Sequence, residues 1–154
     1  MEWDPERLLK DFLLVAELAG VRLQRDAIRI EILTMPHKPP SKLPSGKMAV
    51  YVFADKKRVL KVGKVGCRSQ ARYTSQHYNP RSAPSTLADS LLKEEDGIRR
   101  CGVTGETVSH WIKANTDRVN FILDADLGMR TTTLLEAFVQ CKLQPAFEGF
   151  ASQS

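Results

Sequence analysis

The sequence predicts an α+β domain, a small antiparallel three-stranded sheet flanked by helices, and three observations carry that reading. Ala49-Val50-Tyr51-Val52-Phe53 and Val59-Leu60-Lys61-Val62-Gly63-Lys64 are short apolar runs flanking a charged turn, the pattern of a β-hairpin. Arg118-Val119-Asn120-Phe121-Ile122-Leu123 reads as a third strand joining it. Around these runs the apolar spacing is helical, at residues 4–19, 69–78, 85–95, 104–114 and 134–143. A chain of 154 residues suits one domain with its own core.

Taken in order, residues 4–19 form an amphipathic helix: Asp4 is placed to cap it, Pro5 suits its first position and Gly20 its stop. Leu8, Leu9, Phe12, Leu13, Val15, Ala16 and Ala19 make a wide stripe suited to a core or a dimer contact. Ile28, Ile30 and Ile32 alternate with polar residues like a half-buried strand. The proline-rich stretch from Met35 to Gly46 is a connector with His37 exposed in it. On this reading residues 1–46 are an N-terminal extension. Residues 47–154 are the domain proper, with a helical insertion at about 80–116.

Strand side chains alternate faces, so Val50, Val52, Leu60 and Val62 share an apolar face while Tyr51, Lys61 and Gly63 share the other. With Asp55, Lys56 and Lys57 as the loop, Ala54 pairs with Arg58 and Tyr51 lies directly opposite Lys61, a phenol beside an ammonium. Ser69 is placed to cap a helix through Tyr78 that carries Arg72, Tyr73, Gln76 and His77 and ends at Asn79-Pro80. Leu87, Ala88, Leu91 and Leu92 face inward from the next helix. Val108, Trp111 and Ile112 do so from a helix capped by Thr104, with Trp111 as core and not as a base-stacking platform. The last helix buries Leu134, Leu135, Phe138 and Val139 and sets Glu136 at the flank of that stripe. Thr133 and Glu136 also have capping-box spacing, which would give the glutamate a purely structural use.

The net charge of +5 and pI of about 9.2 favour a polyanionic partner without specifying one. The local density says more: Lys56, Lys57, Arg58, Lys61, Lys64, Arg68 and Arg72 follow one another with no acid between them, a run that elsewhere is simply a solvated face. Cys67, Cys101 and Cys141 are odd in number and far apart, so neither a zinc knuckle nor a disulfide framework is indicated, and reduced thiols fit a cytoplasmic protein. The first residues are acidic and no apolar run is long enough for a bilayer, so neither a signal peptide nor a membrane span is expected.

The order of these residues resembles the GIY-YIG nuclease superfamily over roughly residues 48–148. In that family a strand ending Gly-Ile-Tyr pairs with one carrying Tyr-Ile-Gly, the next helix brings an arginine and a later helix a glutamate. Here Ala49-Val50-Tyr51 and Lys61-Val62-Gly63 stand at the two motifs, and lysine for the second tyrosine resembles a branch that includes some type II restriction endonucleases. The resemblance implies Arg72 as the arginine that holds the scissile phosphate, with Arg68 as the alternative, and Glu136 as the metal-binding glutamate. Many members have a histidine one helical turn beyond the arginine. Gln76 takes that place here and His77 follows it, which keeps His77 as a candidate. Pro145-Ala146-Phe147-Glu148 matches the family's proline and aromatic, with Glu148 where many members have asparagine.

The chemistry so implied is hydrolysis of DNA phosphodiester bonds by a restriction-type or mobile-element endonuclease. Mg²⁺ (or Mn²⁺) on Glu136 would stabilise phosphate and leaving-group charge. Arg72 would hold a non-bridging oxygen through charge-assisted hydrogen bonds. Tyr51 would accept the attacking water's proton. A free phenol has a pKa of about 10, so the base needs a cation beside it, which Lys61 is placed to supply and Lys64 to reinforce, unless Lys64 holds the backbone. DNA is the expected partner, with RNA left open, and one site per chain fits a homodimer on a palindromic target. Two readings from other classes stand beside this one. The first is a non-catalytic nucleic-acid-binding module using the basic hairpin. The second is an interaction domain whose charge is incidental. A steep fall of affinity with salt separates those two.

Overall fold

Asp4 accepts a hydrogen bond from the Glu6 N–H at 2.9 Å and Pro5 occupies the first turn, so the chain enters helix α1 (Pro5–Leu18) where its capping residues direct it. The computed structural model describes residues 3–94 and 98–147. Four strands follow, not three: β1 (Ile28–Leu33), β2 (Lys47–Ala54), β3 (Val59–Val65) and β4 (Asp117–Asp124). They form one antiparallel sheet in the order β1-β4-β2-β3. The strand predicted as part of an extension is an edge of the main sheet, paired with β4 from Ile28 opposite Leu123 to Leu33 opposite Arg118.

Helices cover both faces. On one, α1 and α5 (Gly128–Leu143) pack on the sheet: Leu8, Leu9, Phe12 and Ala16 of α1 meet Val50, Val52, Val62 and Val119 from the strands and Leu135 and Val139 of α5. Phe12 is fully buried, and its ring lies 5.7 Å from that of Phe138. The opposite face is covered by α2 (Gln70–Thr74), a 3-10 turn at Gln76–Tyr78, α3 (Leu87–Lys93) and α4 (Val108–Asn115), around Tyr51, Phe53, Leu60, Leu91 and Ile112. Being covered on both sides, β2 and β4 are buried along nearly their whole length, unlike a half-exposed strand.

Several local readings change. The helix predicted over 69–78 breaks at Ser75 into α2 and the 3-10 turn, and Ser69 makes no side-chain cap. Thr86, whose hydroxyl accepts from the Asp89 N–H at 3.0 Å, starts α3, and α4 starts after Thr107 instead of Thr104. His37 is buried, not exposed: its ring bridges the Thr116 carbonyl at 2.8 Å and the Tyr78 hydroxyl at 2.9 Å, tying the proline-rich connector to the end of α4. Trp111 packs at the margin of the second core, as its spacing suggested. Glu148 lies outside the described residues.

Because α1 fills the same core as the sheet, Phe12→Ala should lower unfolding stability by about 3–5 kcal/mol in denaturant titration, within a single cooperative transition. A loss of a few tenths, or a separate early transition, would make residues 1–46 the dispensable extension that the sequence suggests.

Candidate active site

The hairpin turn decides what faces Tyr51. Asp55 closes it with its own carboxylate, accepting from the Lys57 and Arg58 N–H groups at 2.7 and 2.9 Å, while its N–H donates to the Arg58 carbonyl. The loop therefore takes four residues, not three. Ala54 pairs with Val59, Phe53 with Lys61, and Leu60 is left between them as a bulge. The expected pairing of Tyr51 with Lys61 is thus replaced by Tyr51 with Gly63. Leu60, expected beside Val50 and Val52, turns instead into the core on the Tyr51 side.

Gly63 is required at that register. A Cβ built on it would overlap the Tyr51 hydroxyl and stand 2.6 Å from Cζ, so the phenol ring lies directly over the glycine backbone. Tyr51 is fully buried, and its hydroxyl accepts a hydrogen bond from Arg72 Nε at 3.3 Å. That contact puts Arg72 beside Tyr51, whereas Arg68 is exposed. Lys61 shares the Tyr51 face one pair along. It is only 3 % exposed, with Nζ donating to Ser85 Oγ at 3.2 Å and to the Phe147 carbonyl at 3.4 Å. The bulge brings the tail here: the Ala146 and Phe147 N–H groups donate to the Val59 and Leu60 carbonyls and lay the tail along the start of β3.

His77 completes the wall beside Tyr51, ring centroids 4.6 Å apart. Its Nδ1 accepts from the Leu87 N–H at 3.4 Å, which leaves the proton of the neutral ring on Nε2, an atom with no hydrogen-bond partner among the described residues. Burial, together with Arg118, Lys61 and Arg72 around it, pushes its pKa down to about 2. It is therefore a neutral ring packed on Tyr51, not an acid or base in exchange with solvent.

Lys64 points to the other face of β3 and forms an ion pair with Glu136 on α5. The helix bearing Glu136 begins at Gly128, well before the predicted start at 134, so Thr133 and Glu136 lie in its interior and the capping-box reading is removed. Two pairs thus meet at the same edge strand: Tyr51 with Arg72 over Gly63, and Glu136 with Lys64 at the next residue on the reverse face. A single half-buried carboxylate suits Mg²⁺, which keeps several waters and takes one or two carboxylates together with substrate phosphate.

One participant went unread in the sequence. Arg118, opposite Phe53 on β4, is 0 % exposed. Its guanidinium carbon lies 5.0 Å from the Phe53 and Tyr73 ring centroids, 5.7 Å from Tyr51 and 6.0 Å from Tyr78. Nε donates to Asn120 Oδ1 at 2.9 Å and Nη1 to the Tyr78 hydroxyl at 3.3 Å. Asn120 Nδ2 and the Tyr73 hydroxyl both donate to Glu31 Oε2 at 2.8 Å, so the carboxylate on β1 answers the buried charge only through intermediaries. The sequence signal was the polar pair Arg118 and Asn120 at alternate positions of an apolar strand, which reads as a solvated face until helices cover it.

No family model, curated protein or solved structure matches this chain.

Gly63→Ala should displace the Tyr51 ring and cost about 1–3 kcal/mol, read by denaturant unfolding together with the near-ultraviolet tyrosine signal. A neutral outcome would mean that the ring does not rest on the glycine. A second test uses acid. His77 has a folded pKa far below its unfolded value near 6.5, so the unfolded chain takes up the proton first. The stability that the neutral ring contributes is whole above about pH 6.5 and shrinks as pH falls below it. Relative to His77→Gln, the wild type should lose about 2 kcal/mol between about pH 7 and about pH 5. Parallel stability curves for the two proteins would place His77 in contact with water.

Proposed function

We propose that this protein is a metal-dependent endonuclease resembling the GIY-YIG nucleases, acting on DNA. The observation that carries the reading is the Tyr51–Arg72 hydrogen bond over Gly63, with Lys61 on the same face and the Glu136–Lys64 pair one residue along the same edge strand. β2, β3 and α2 bring Tyr51, Lys61 and Arg72 to one face of that strand, and α5 brings Glu136 to its reverse face.

Tyr51 acts as the base. Its oxygen is already a hydrogen-bond acceptor toward Arg72, and the cations around it favour the phenolate that water activation requires. Arg72 uses Nε toward that oxygen, which leaves the outer N–H groups of its fork to hold a non-bridging phosphate oxygen. Lys61, anchored by Ser85 and the Phe147 carbonyl, is a fixed charge beside the base and takes no direct part in substrate binding. Glu136 is the residue that would hold Mg²⁺, which when bound supplies charge stabilisation at the phosphate and the leaving oxygen. Lys64 neutralises Glu136, and were the carboxylate to hold a cation, the Lys64 ammonium would be available to the phosphate backbone. Lys56, Lys57 and Arg68 are exposed and available for non-specific backbone contacts, whereas Arg58 is taken up by Glu94 in a bidentate pair at 2.8 Å.

That same Lys64–Glu136 pair favours a second reading, a nucleic-acid-binding module without turnover, in which lysine permanently occupies the carboxylate. Nicking of supercoiled plasmid with Mg²⁺ separates the two. The nuclease reading expects cleavage by wild type, none with chelator or in Glu136→Gln, and a loss of about 10²–10³-fold in Arg72→Ala. Retention of DNA that weakens steeply with salt, and no cutting under any divalent metal, would establish the binding module instead.

A further inference from the structure

Arg118 is an expensive residue to keep where it is. A guanidinium does not deprotonate in a protein, so the charge is permanent, and the side chain is sealed from solvent. Among the described residues no carboxylate pairs with it directly, and Nη2 has no hydrogen-bond partner. For stability alone an apolar side chain of similar volume would serve this cage as well or better. The surroundings are also one-sided. Among the described residues, the groups that meet the guanidinium are ring faces and neutral oxygens, and one of those rings belongs to Tyr51.

The hydrogen-bond directions show that the cage is built to hold this charge still. The Thr116 carbonyl only accepts, so His37 Nδ1 donates to it, and neutral His37 presents Nε2 as an acceptor. The Tyr78 hydroxyl must then donate to His37, which leaves its oxygen lone pairs for Arg118 Nη1. On the other side Asn120 accepts from Arg118 Nε and donates onward to Glu31. The guanidinium is clamped at both ends by groups that are themselves fixed.

We propose that Arg118 is a positioning residue that holds the Tyr51 ring from beneath and supplies a built-in cation favouring its phenolate. This rests on the reading of Tyr51 as the base. Among the described residues the groups facing Tyr51 include Lys61 on β3, Arg72 on α2, neutral His77 on the 3-10 turn, and Arg118 with Asn120 on β4. The nearest acid of this network, Glu31, stands behind Asn120 and Tyr73. Arg72 reaches the phenol oxygen and is shared with the substrate in the proposed reaction, and Lys61 is drawn toward Ser85 and the tail. Arg118 is the cation of the set that no substrate can reach or divert.

The test measures ionisation of Tyr51 directly, without substrate, by phenolate absorbance of the folded protein against pH, with Tyr51→Phe to assign the signal. Three tyrosines are present, and burial holds the hydroxyls of Tyr73 and Tyr78 above their ordinary range, so the Tyr51 titration is the component that disappears in Tyr51→Phe. In Arg118→Met its midpoint should rise by about one pH unit or more, a tenfold or greater loss of phenolate at fixed pH, and Arg118→Lys should recover most of the shift. Glu31→Gln removes the balancing charge without disturbing the cage and should lower the midpoint, which keeps a test available if Arg118→Met does not fold. An unchanged Tyr51 midpoint in a folded Arg118→Met or in Glu31→Gln overturns the proposal. Shifts as expected in a protein that cuts nothing would leave the role of Arg118 standing and remove the nuclease reading. Cutting by a protein whose Tyr51 ignores Arg118 would do the reverse.

Discussion

The guanidinium of Arg118 is the point at which five parts of the chain are tied together. β4 supplies it, β2 lays Tyr51 and Phe53 against it, α2 adds Tyr73, the 3-10 turn adds Tyr78, and β1 answers its charge through Glu31. A buried charge without a direct counter-ion is tolerable only if rings and neutral acceptors surround it in fixed positions, since each missing contact leaves an unsatisfied charge in a poor dielectric. That requirement constrains the helices on this face more tightly than apolar packing would. It also ties down the connector: His37 accepts the Tyr78 O–H and so fixes the hydroxyl whose oxygen accepts from Arg118.

Most of the secondary structure was legible in the sequence because it depends on local rules. Asp4 and Pro5 start α1, alternation marks β1 and β4, and helical spacing marks α5. The errors came where a side chain reached beyond its neighbours. Asp55 closing the hairpin on Lys57 and Arg58 added one residue to the loop, and the bulge at Leu60 added a second step, which together moved Tyr51 from Lys61 to Gly63 and turned Leu60 over. No propensity for a three-residue loop would have revealed this, because the deciding hydrogen bonds are those of one carboxylate. Likewise the pairing of β1 with β4 joins residues some ninety positions apart, and periodicity within each run says nothing of it.

The candidate site was legible as a list of residues and illegible as an electrostatic environment. Tyr51, Lys61, Arg72 and Glu136 stand out by order, and the fold sets Tyr51 with Arg72 on one face of the β3 edge and Glu136 with Lys64 on the reverse face. Lys61 was read as the cation opposite the phenol. It is on the right face but is held by Ser85 and the tail, a consequence of Phe147 pairing along β3 that only the folded chain reveals. His77 was read on the same helix as Arg72 and is buried on the 3-10 turn against Tyr51 as a neutral ring. Arg118 was missed outright, since an arginine at the start of a strand is ordinarily a solvent-facing residue and only the helices between α2 and β4 seal it.

The same helices explain why the buried cations do not simply destabilise the domain. Tyr51, Phe53, Tyr73 and Tyr78 present ring faces, whose negative quadrupoles offset part of the lost hydration of a guanidinium, and they are large enough to exclude water at the same time. Excluding water has two opposing effects on a phenol: it disfavours the ionised form, and it strengthens the pull of every nearby cation. A single mobile lysine at the surface would be screened and would leave desolvation in control. Fixed cations inside the same dry enclosure oppose that desolvation, because their attraction acts at short range and needs no reorganisation when the charge appears. An arginine caged in aromatic rings is therefore a physically reasonable way to ease ionisation of a tyrosine while the cation itself stays sealed from solvent.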